Sequence, residues 1–157
     1  MDIDAAMKRI PPHSAEAEQA VLGAMLMNKE AVMVASEIIS GEDFYQTAYG
    51  ILFDAMVELF HKGKPIDLIT LQEHLKEKDV PPEVSSMEYA RDLLVGTQTS
   101  ANVKYYAEIV RDKATLRRLI KINEETANVC YLENKPLEAI LDETETQVFE
   151  HDSYRHL

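Results

Sequence analysis

Between Ala101 and Leu132 the chain contains neither proline nor glycine, the residues that most reliably end a helix. One long helix is predicted there, with a break near Lys113 left open as the joint between a head and an appendage. Its second half carries Leu116, Ile120, Asn123, Ala127 and Cys130 at alternating steps of four and three. That spacing is a heptad seam, weakened by Asn123. After the turn sequence Glu133-Asn134-Lys135-Pro136, residues Leu137, Leu141, Thr144 and Val148 repeat the steps, so the two segments are expected to fold back as an antiparallel helical hairpin. Charge agrees with that pairing. Arg111, Lys113, Arg117, Arg118 and Lys121 lie on the outgoing arm, and Glu138, Asp142, Glu143, Glu145 and Glu150 on the returning one. Each exposed pair contributes only about 0.2–1 kcal/mol, so the clusters select an orientation more than they supply stability. The basic run is also the one candidate nucleic-acid patch, and pairing within the hairpin is the preferred reading of it.

The rest of the chain is helical in period too, without two-residue hairpin signals such as Asn-Gly or Asp-Gly. A first helix is predicted over residues 15–27, with Ala17, Val21, Ala24 and Met25 on one stripe and Gly23 permitting close approach of a neighbouring helix. A second, over 29–39, is expected to end at Ser40-Gly41, where glycine suits a left-handed cap. The third, over 46–61, presents Ile51, Leu52, Ala55, Met56, Leu59 and Phe60, and is stopped by Gly63 and Pro65. Thr70-x-x-Glu73 has capping-box spacing and is read as the start of a fourth helix reaching about Lys78. Pro81-Pro82 forces an extended connection. Ser85-x-x-Glu88 repeats the start signal for a fifth helix that reaches about Val95 and ends at Gly96. The expected fold is all-α: a compact head of about six helices followed by an antiparallel helical hairpin. The expected divisions are an N-terminal arm at 1–13, a globular helical head at 14–112, the hairpin at 113–150, and the start of a linker or the chain end at 151–157.

Bulk properties narrow the function. A chain of 157 residues can bury roughly 70% of its unfolded surface without staples. The lone Cys130 makes no internal disulfide, which fits a reducing compartment, so a cytoplasmic location is expected. No secretion signal is visible in residues 1–9. The longest apolar stretch, 31–39, is interrupted by Glu37 and falls short of the roughly 18 residues of a membrane span. The formal net charge of −12 argues against tight binding of nucleic acid, because that affinity comes largely from Lys and Arg displacing counterions from phosphates.

Motifs that carry chemistry are mostly missing. Gly63-Lys64 is followed by Pro65 and lacks the upstream glycine of a phosphate loop. His74 follows Glu73 without a second histidine one turn away, and His151 and His156 sit in a polar tail, so no zinc motif forms. Cys130 falls on the heptad seam, where a small buried thiol is the simpler reading. The acid pairs Glu16/Glu18 and Glu42/Asp43 sit at helix starts, where they favour the helix dipole, and Glu124/Glu125 is likewise read as structural. Ser14, beside His13, lacks the elbow glycines of a nucleophile and stands where an N-cap belongs. No catalytic, cofactor-binding or metal residue is assigned. A hairpin can bury only one face of each helix, and Leu116, Leu119, Ile120 and Ile122 point in too many directions for one seam. These four are the candidate partner-binding residues, facing a neighbouring subunit or another protein, together with Tyr89, which reads equally as an aromatic anchor or as a tyrosine of the head core.

Taken in order and spacing, "RIPPHSAEAEQAVLGAML", "EDFYQTAYGILFDAMVELFHKGKPIDLITL" and "SANVKYYAEIVRDKATLRRLI" closely resemble the N-terminal domain of bacterial replicative DNA helicases of the DnaB family, from about Arg9 to Phe149. The chain departs from the family at Tyr49, where histidine is usual, and at Ser85-Ser86, where a Gly-Gly turn is usual. The resemblance implies a head plus hairpin and a hexameric ring whose N-terminal tier is a trimer of dimers. It implies docking of the primase C-terminal domain and approach by the helicase loader. It also implies a parent enzyme, an ATP-dependent DNA-unwinding helicase using ATP and Mg, whose ATPase domain would follow Leu157. The rival readings are a free-standing acidic helical adaptor regulating helicase loading, and a small helical hydrolase using Ser14 or Cys130.

Overall fold

The computed structural model describes residues 9–152, with side-chain surroundings over 9–150. Every regular element among them is helical. The chain divides into two compact units: His13–Asp112, the head, and a second made of residues 9–12 together with 113–152 of those described.

The head begins with α1, Ala15–Met27. Ser14 caps it, its Oγ accepting from the Ala17 N–H at 3.1 Å. Ala17, Val21, Leu22, Ala24 and Met25 are all buried, so α1 buries a broad apolar face, as befits the central element of a helical domain. It packs against α2, Lys29–Ser36, α3, Thr47–His61, and α5, Met87–Val95. Its approach to the end of α5 is close: a Cβ on Gly23 would sit 1.6 Å from Thr97 Oγ1 and 3.0 Å from the Leu93 carbonyl oxygen. The remaining head helix, α4, Leu68–Lys76, packs on α3 and α5. Phe53, Leu52, Met56, Leu59, Leu71 and Leu75 are fully buried with Leu22 and Met25.

Several helix ends fall elsewhere than local signals predict. The α2 helix stops at Ser36, before Ile39. Gly41 opens a 3-10 turn, Gly41–Asp43, in which the Ser40 N–H donates to Asp43 Oδ2 at 2.8 Å. This glycine is no left-handed cap. A Cβ built on Gly50 would lie 2.3 Å from the Gly41 carbonyl oxygen, so the turn rests directly on α3. Gly63 does take the left-handed conformation, at φ +67°. The Lys64 N–H reaches the Leu59 carbonyl at 3.0 Å and the Gly63 N–H reaches Phe60 at 3.1 Å, the paired bonds of a Schellman stop. The cap of α4 is Asp67, whose Oδ1 accepts from the Thr70 N–H at 2.8 Å, so Thr70 is inside the helix rather than at its start. The cap of α5 is Ser86, accepting from the Tyr89 N–H at 3.2 Å, while Ser85 Oγ turns back to the Pro82 carbonyl. In both cases two residues close in sequence have capping chemistry, and one of them takes the role.

The α6 helix, Val103–Leu132, runs 30 residues without a break at Lys113. Its first turns add Val103, Ala107 and Val110 to the head core. In the second unit its remainder and α7, Leu137–Asp152, form the hairpin arms, joined at Glu133, which takes φ 48°. The predicted seam is one residue out of register on α6, and of its α7 members only Thr144 is shielded. Leu116 and Ile120 are 45% and 43% exposed and Leu137 and Leu141 are 70% and 60% exposed, while Asn123, Ala127 and Cys130 are exposed as well. The shielded stripe is Thr115, Leu119, Ile122, Thr126 and Val129 on α6, with Ile140, Thr144 and Gln147 on α7. Both α6 stripes step by four and three, so spacing alone does not choose between them. Asn123 answers its polarity locally, donating from Nδ2 to the Leu119 carbonyl at 2.8 Å.

Candidate functional site

In the head, the Ser86 cap sets the start of α5 and thereby aims Tyr89. Its ring lies 6.0 Å from that of Tyr49 at 45°, and the Tyr49 hydroxyl accepts from Gln19 Nε2 at 2.9 Å. Burial, then the neighbouring Tyr49, pushes the Tyr89 phenol above its ordinary value. Both tyrosines line a cavity of about 520 Å³, whose lining also includes Glu16, Asp92, Tyr106 and the Gly96–Thr99 segment. Tyr89 is thus half-buried, both a packing residue and the lining of a solvent-reached hollow. Tyr49 was legible only as a departure from the family pattern. Nothing in the sequence pairs it with a residue forty positions away.

In the second unit, Arg9–Pro12 lies beside α6. Arg117 Nη1 donates to the Pro12 carbonyl at 2.7 Å, and Pro11-Pro12 keeps the segment extended. Two hollows of about 710 and 340 Å³ lie between this arm and the helix. Leu116, Leu119 and Ile120 line the smaller with Pro12, and Ile120 lines the larger with Ile10. Three of the hairpin candidates therefore share one apolar face. Ile122 does not: at 5% exposure it offers almost no surface to another molecule. The arm's partnership with Arg117 escaped the sequence, where Arg117 read only as one charge in a basic run.

The polar groups that looked most like chemistry are engaged in building the head. Ser14 Oγ is the cap of α1, and the His13 ring stacks on Tyr45 at 4.0 Å and 12°. Glu18, almost wholly buried, accepts from the Tyr45 and Gln46 N–H groups at 2.9 and 3.2 Å. It caps α3, whose own N-cap residue Gln46 makes no side-chain cap bond. A carboxylate suits that place because the free N–H groups and the helix dipole both favour negative charge. Glu18 falls in the first turn of its own helix, where the sequence places its role, but its bonds are to the start of another. His74, buried on α4, has Nε2 2.7 Å from Glu58 Oε2. Lys78 engages the same carboxylate, and its hydrogen bond is the largest of the effects holding the Glu58 carboxyl below its usual range. Asp54 is moved up, by burial first, against the Gly41 N–H it accepts. Cys130 is exposed. Among the described residues no three His, Cys, Asp or Glu side chains are grouped to hold a metal, and no helix is long and apolar enough to cross a membrane.

Residues 10–112 match the family described as "DnaB-like helicase N terminal domain". The chain is 39% identical over 149 residues to "Replicative DNA helicase DnaB" of Geobacillus stearothermophilus, covering 95% of this chain and 33% of that protein. It is 41% identical over 141 residues to the protein of that name from Pasteurella multocida, covering 89% and 30%. It is also 38% identical over 142 residues to "Replicative DNA helicase DnaC" of Bacillus subtilis, covering 90% and 31%. The chain spans about a third of the length of these relatives. Among solved structures, the N-terminal domain of DnaB helicase from Mycobacterium tuberculosis superposes with a TM-score of 0.83 at 31% identity, covering 90% of this chain and 99% of that one.

Proposed function

The chain belongs to the DnaB-like helicase N-terminal domain family, and from that premise we propose that it is the non-catalytic assembly and docking part of a hexameric replicative DNA helicase. The observation that carries this reading is the apolar surface that the hairpin leaves uncovered. Its shielded stripe mixes Leu119, Ile122, Val129 and Ile140 with Thr115, Thr126, Thr144 and Gln147, while Leu116, Ile120, Leu137 and Leu141 are exposed. Large apolar side chains gathered on an exposed face are a feature of surfaces that other proteins cover. In this reading copies pair through the hairpin face and the heads meet along a second interface, giving a ring tier built as a trimer of dimers. The same tier receives the C-terminal domain of primase and is approached by the helicase loader. ATP, Mg and strand translocation belong to a further domain of the parent enzyme. The net charge of −12 leaves this part with little direct hold on nucleic acid.

Titration of the chain with the primase C-terminal domain tests the reading, repeated with Ile120→Asp and Tyr89→Ala. A charge on the hairpin face is expected to weaken binding at least about tenfold, the loss typical of a central interface residue, and truncation of Tyr89 to weaken it less. Unchanged affinity in both variants removes these residues from the docking surface, and a chain that neither self-associates nor binds primase refutes the assignment as a whole.

A further inference from the structure

We propose that the tyrosine-walled cavity of the head receives an arginine side chain presented by a protein partner. Tyr49, Tyr89 and Tyr106 supply three phenol rings to its lining, and Glu16 and Asp92 supply two carboxylates. Among the described residues that line it there is no lysine, arginine or histidine. An aromatic face attracts a cation placed within about 6 Å of the ring centre, and a carboxylate beside it adds a full opposite charge. A guanidinium matches this combination better than an ammonium does. It is planar, more weakly hydrated, stacks on aromatic faces and forks onto a carboxylate with two parallel N–H donors.

The site is built before any ligand arrives. Gln19 holds the Tyr49 hydroxyl at 2.9 Å, Tyr49 and Tyr89 are already packed 6.0 Å apart, and Thr97 is fixed by its Oγ1 donating to the Leu93 carbonyl at 2.8 Å. Little ordering of the tyrosine rings is left for binding to supply, which favours affinity for a small group. At about 520 Å³ the hollow lies within the roughly 300–1,000 Å³ of ordinary ligand sites. Glu16 and Asp92 are exposed at its mouth, and the overall charge of −12 steers cationic surfaces toward it. Val95, largely exposed and one turn along α5 from Asp92, adds apolar surface at positions that neighbour on a helix. An open acidic mouth flanked by an apolar contact suits a side chain carried on a protein surface rather than a free small cation enclosed on all sides.

The identification of the partner as a protein rests on the docking role proposed above; the chemistry of the cavity does not. The test uses the whole chain and a defined probe, Nα-acetyl-arginine-N-methylamide, with tyrosine ring resonances followed by NMR. The lysine and citrulline counterparts are run beside it. Saturable shifts at Tyr49, Tyr89 and Tyr106 are expected with a dissociation constant of roughly 1–10 mM, weaker for lysine and absent for the uncharged citrulline. Glu16→Gln combined with Asp92→Asn is expected to weaken binding about tenfold while leaving the fold intact, since both side chains are exposed. Tyr89→Phe should retain binding and Tyr89→Leu should lose it; the exposed acid pair and the Phe variant decide the matter if the Leu variant fails to fold. Absence of saturable shifts, or equal shifts with citrulline, overturns the proposal. Failure of that kind alongside intact primase binding strikes only the arginine site, whereas arginine binding without any self-association or primase binding leaves the site standing and removes the docking reading.

Discussion

Glu18 shows how much one side chain can do outside its own helix. Its carboxylate holds the Tyr45 and Gln46 N–H groups and so starts α3, the helix that carries Leu52, Phe53 and Met56 into the core. Glu18→Gln keeps the shape but offers one acceptor oxygen and no charge to a helix N-terminus. A loss of about 1–3 kcal/mol is expected in urea unfolding. Glu58 supports a prediction in pH. Its carboxyl is held below the ordinary glutamate range, chiefly by the hydrogen bond with Lys78. A depressed acid contributes stability above its unfolded pKa and loses it as pH falls through the folded one. The stability gap between the native chain and Glu58→Gln should therefore be full above about pH 4.5 and close in more acid solution; a gap that is flat with pH would contradict the assignment. The sequence placed Ser14 at a cap and Gly23 at a close approach, since both roles follow from local chemistry. It could not place Glu18, whose partners are 27 and 28 positions away.

At the scale of elements, the hairpin holds the main lesson. Spacing by four and three identified two arms and their antiparallel return, but offered two adjacent stripes on α6, and the predicted one, with Leu116 and Ile120, is turned outward. Ile120 and Ile122 separate the two roles within one turn. Ile122→Ala removes a buried side chain and is expected to cost about 2–4 kcal/mol, whereas Ile120→Ala should change the stability of the dilute chain by less than about 0.5 kcal/mol. Thermal or urea unfolding of both variants at low concentration checks the contrast, and equal losses would restore the predicted seam. Capping residues show a smaller version of the same ambiguity. Asp67 and Thr70, or Ser85 and Ser86, are each chemically able to open a helix, and in each pair one does.

At the scale of the molecule, the apolar hairpin face ties stability to concentration. If copies cover that face, the unfolding midpoint rises with protein concentration, because association stabilises the folded chain by mass action. Ile120→Asp should abolish the rise without lowering the dilute midpoint. Differential scanning measurements over a hundredfold range of concentration decide it, and a concentration-independent midpoint for the native chain counts against self-association. The all-helical class, the presence of the long α6, the turn at 133–136 and most helix positions were determined by the sequence alone, because proline, glycine and apolar period act over a few neighbouring residues. The tertiary structure alone decided which stripe of the hairpin is shielded, that Arg117 holds the arm at Pro12, that Glu18 starts another helix, and that Tyr49 meets Tyr89 over a cavity. Each of those depends on groups distant in the chain competing for the same space or the same hydrogen bond, and that competition is settled only when the helices pack.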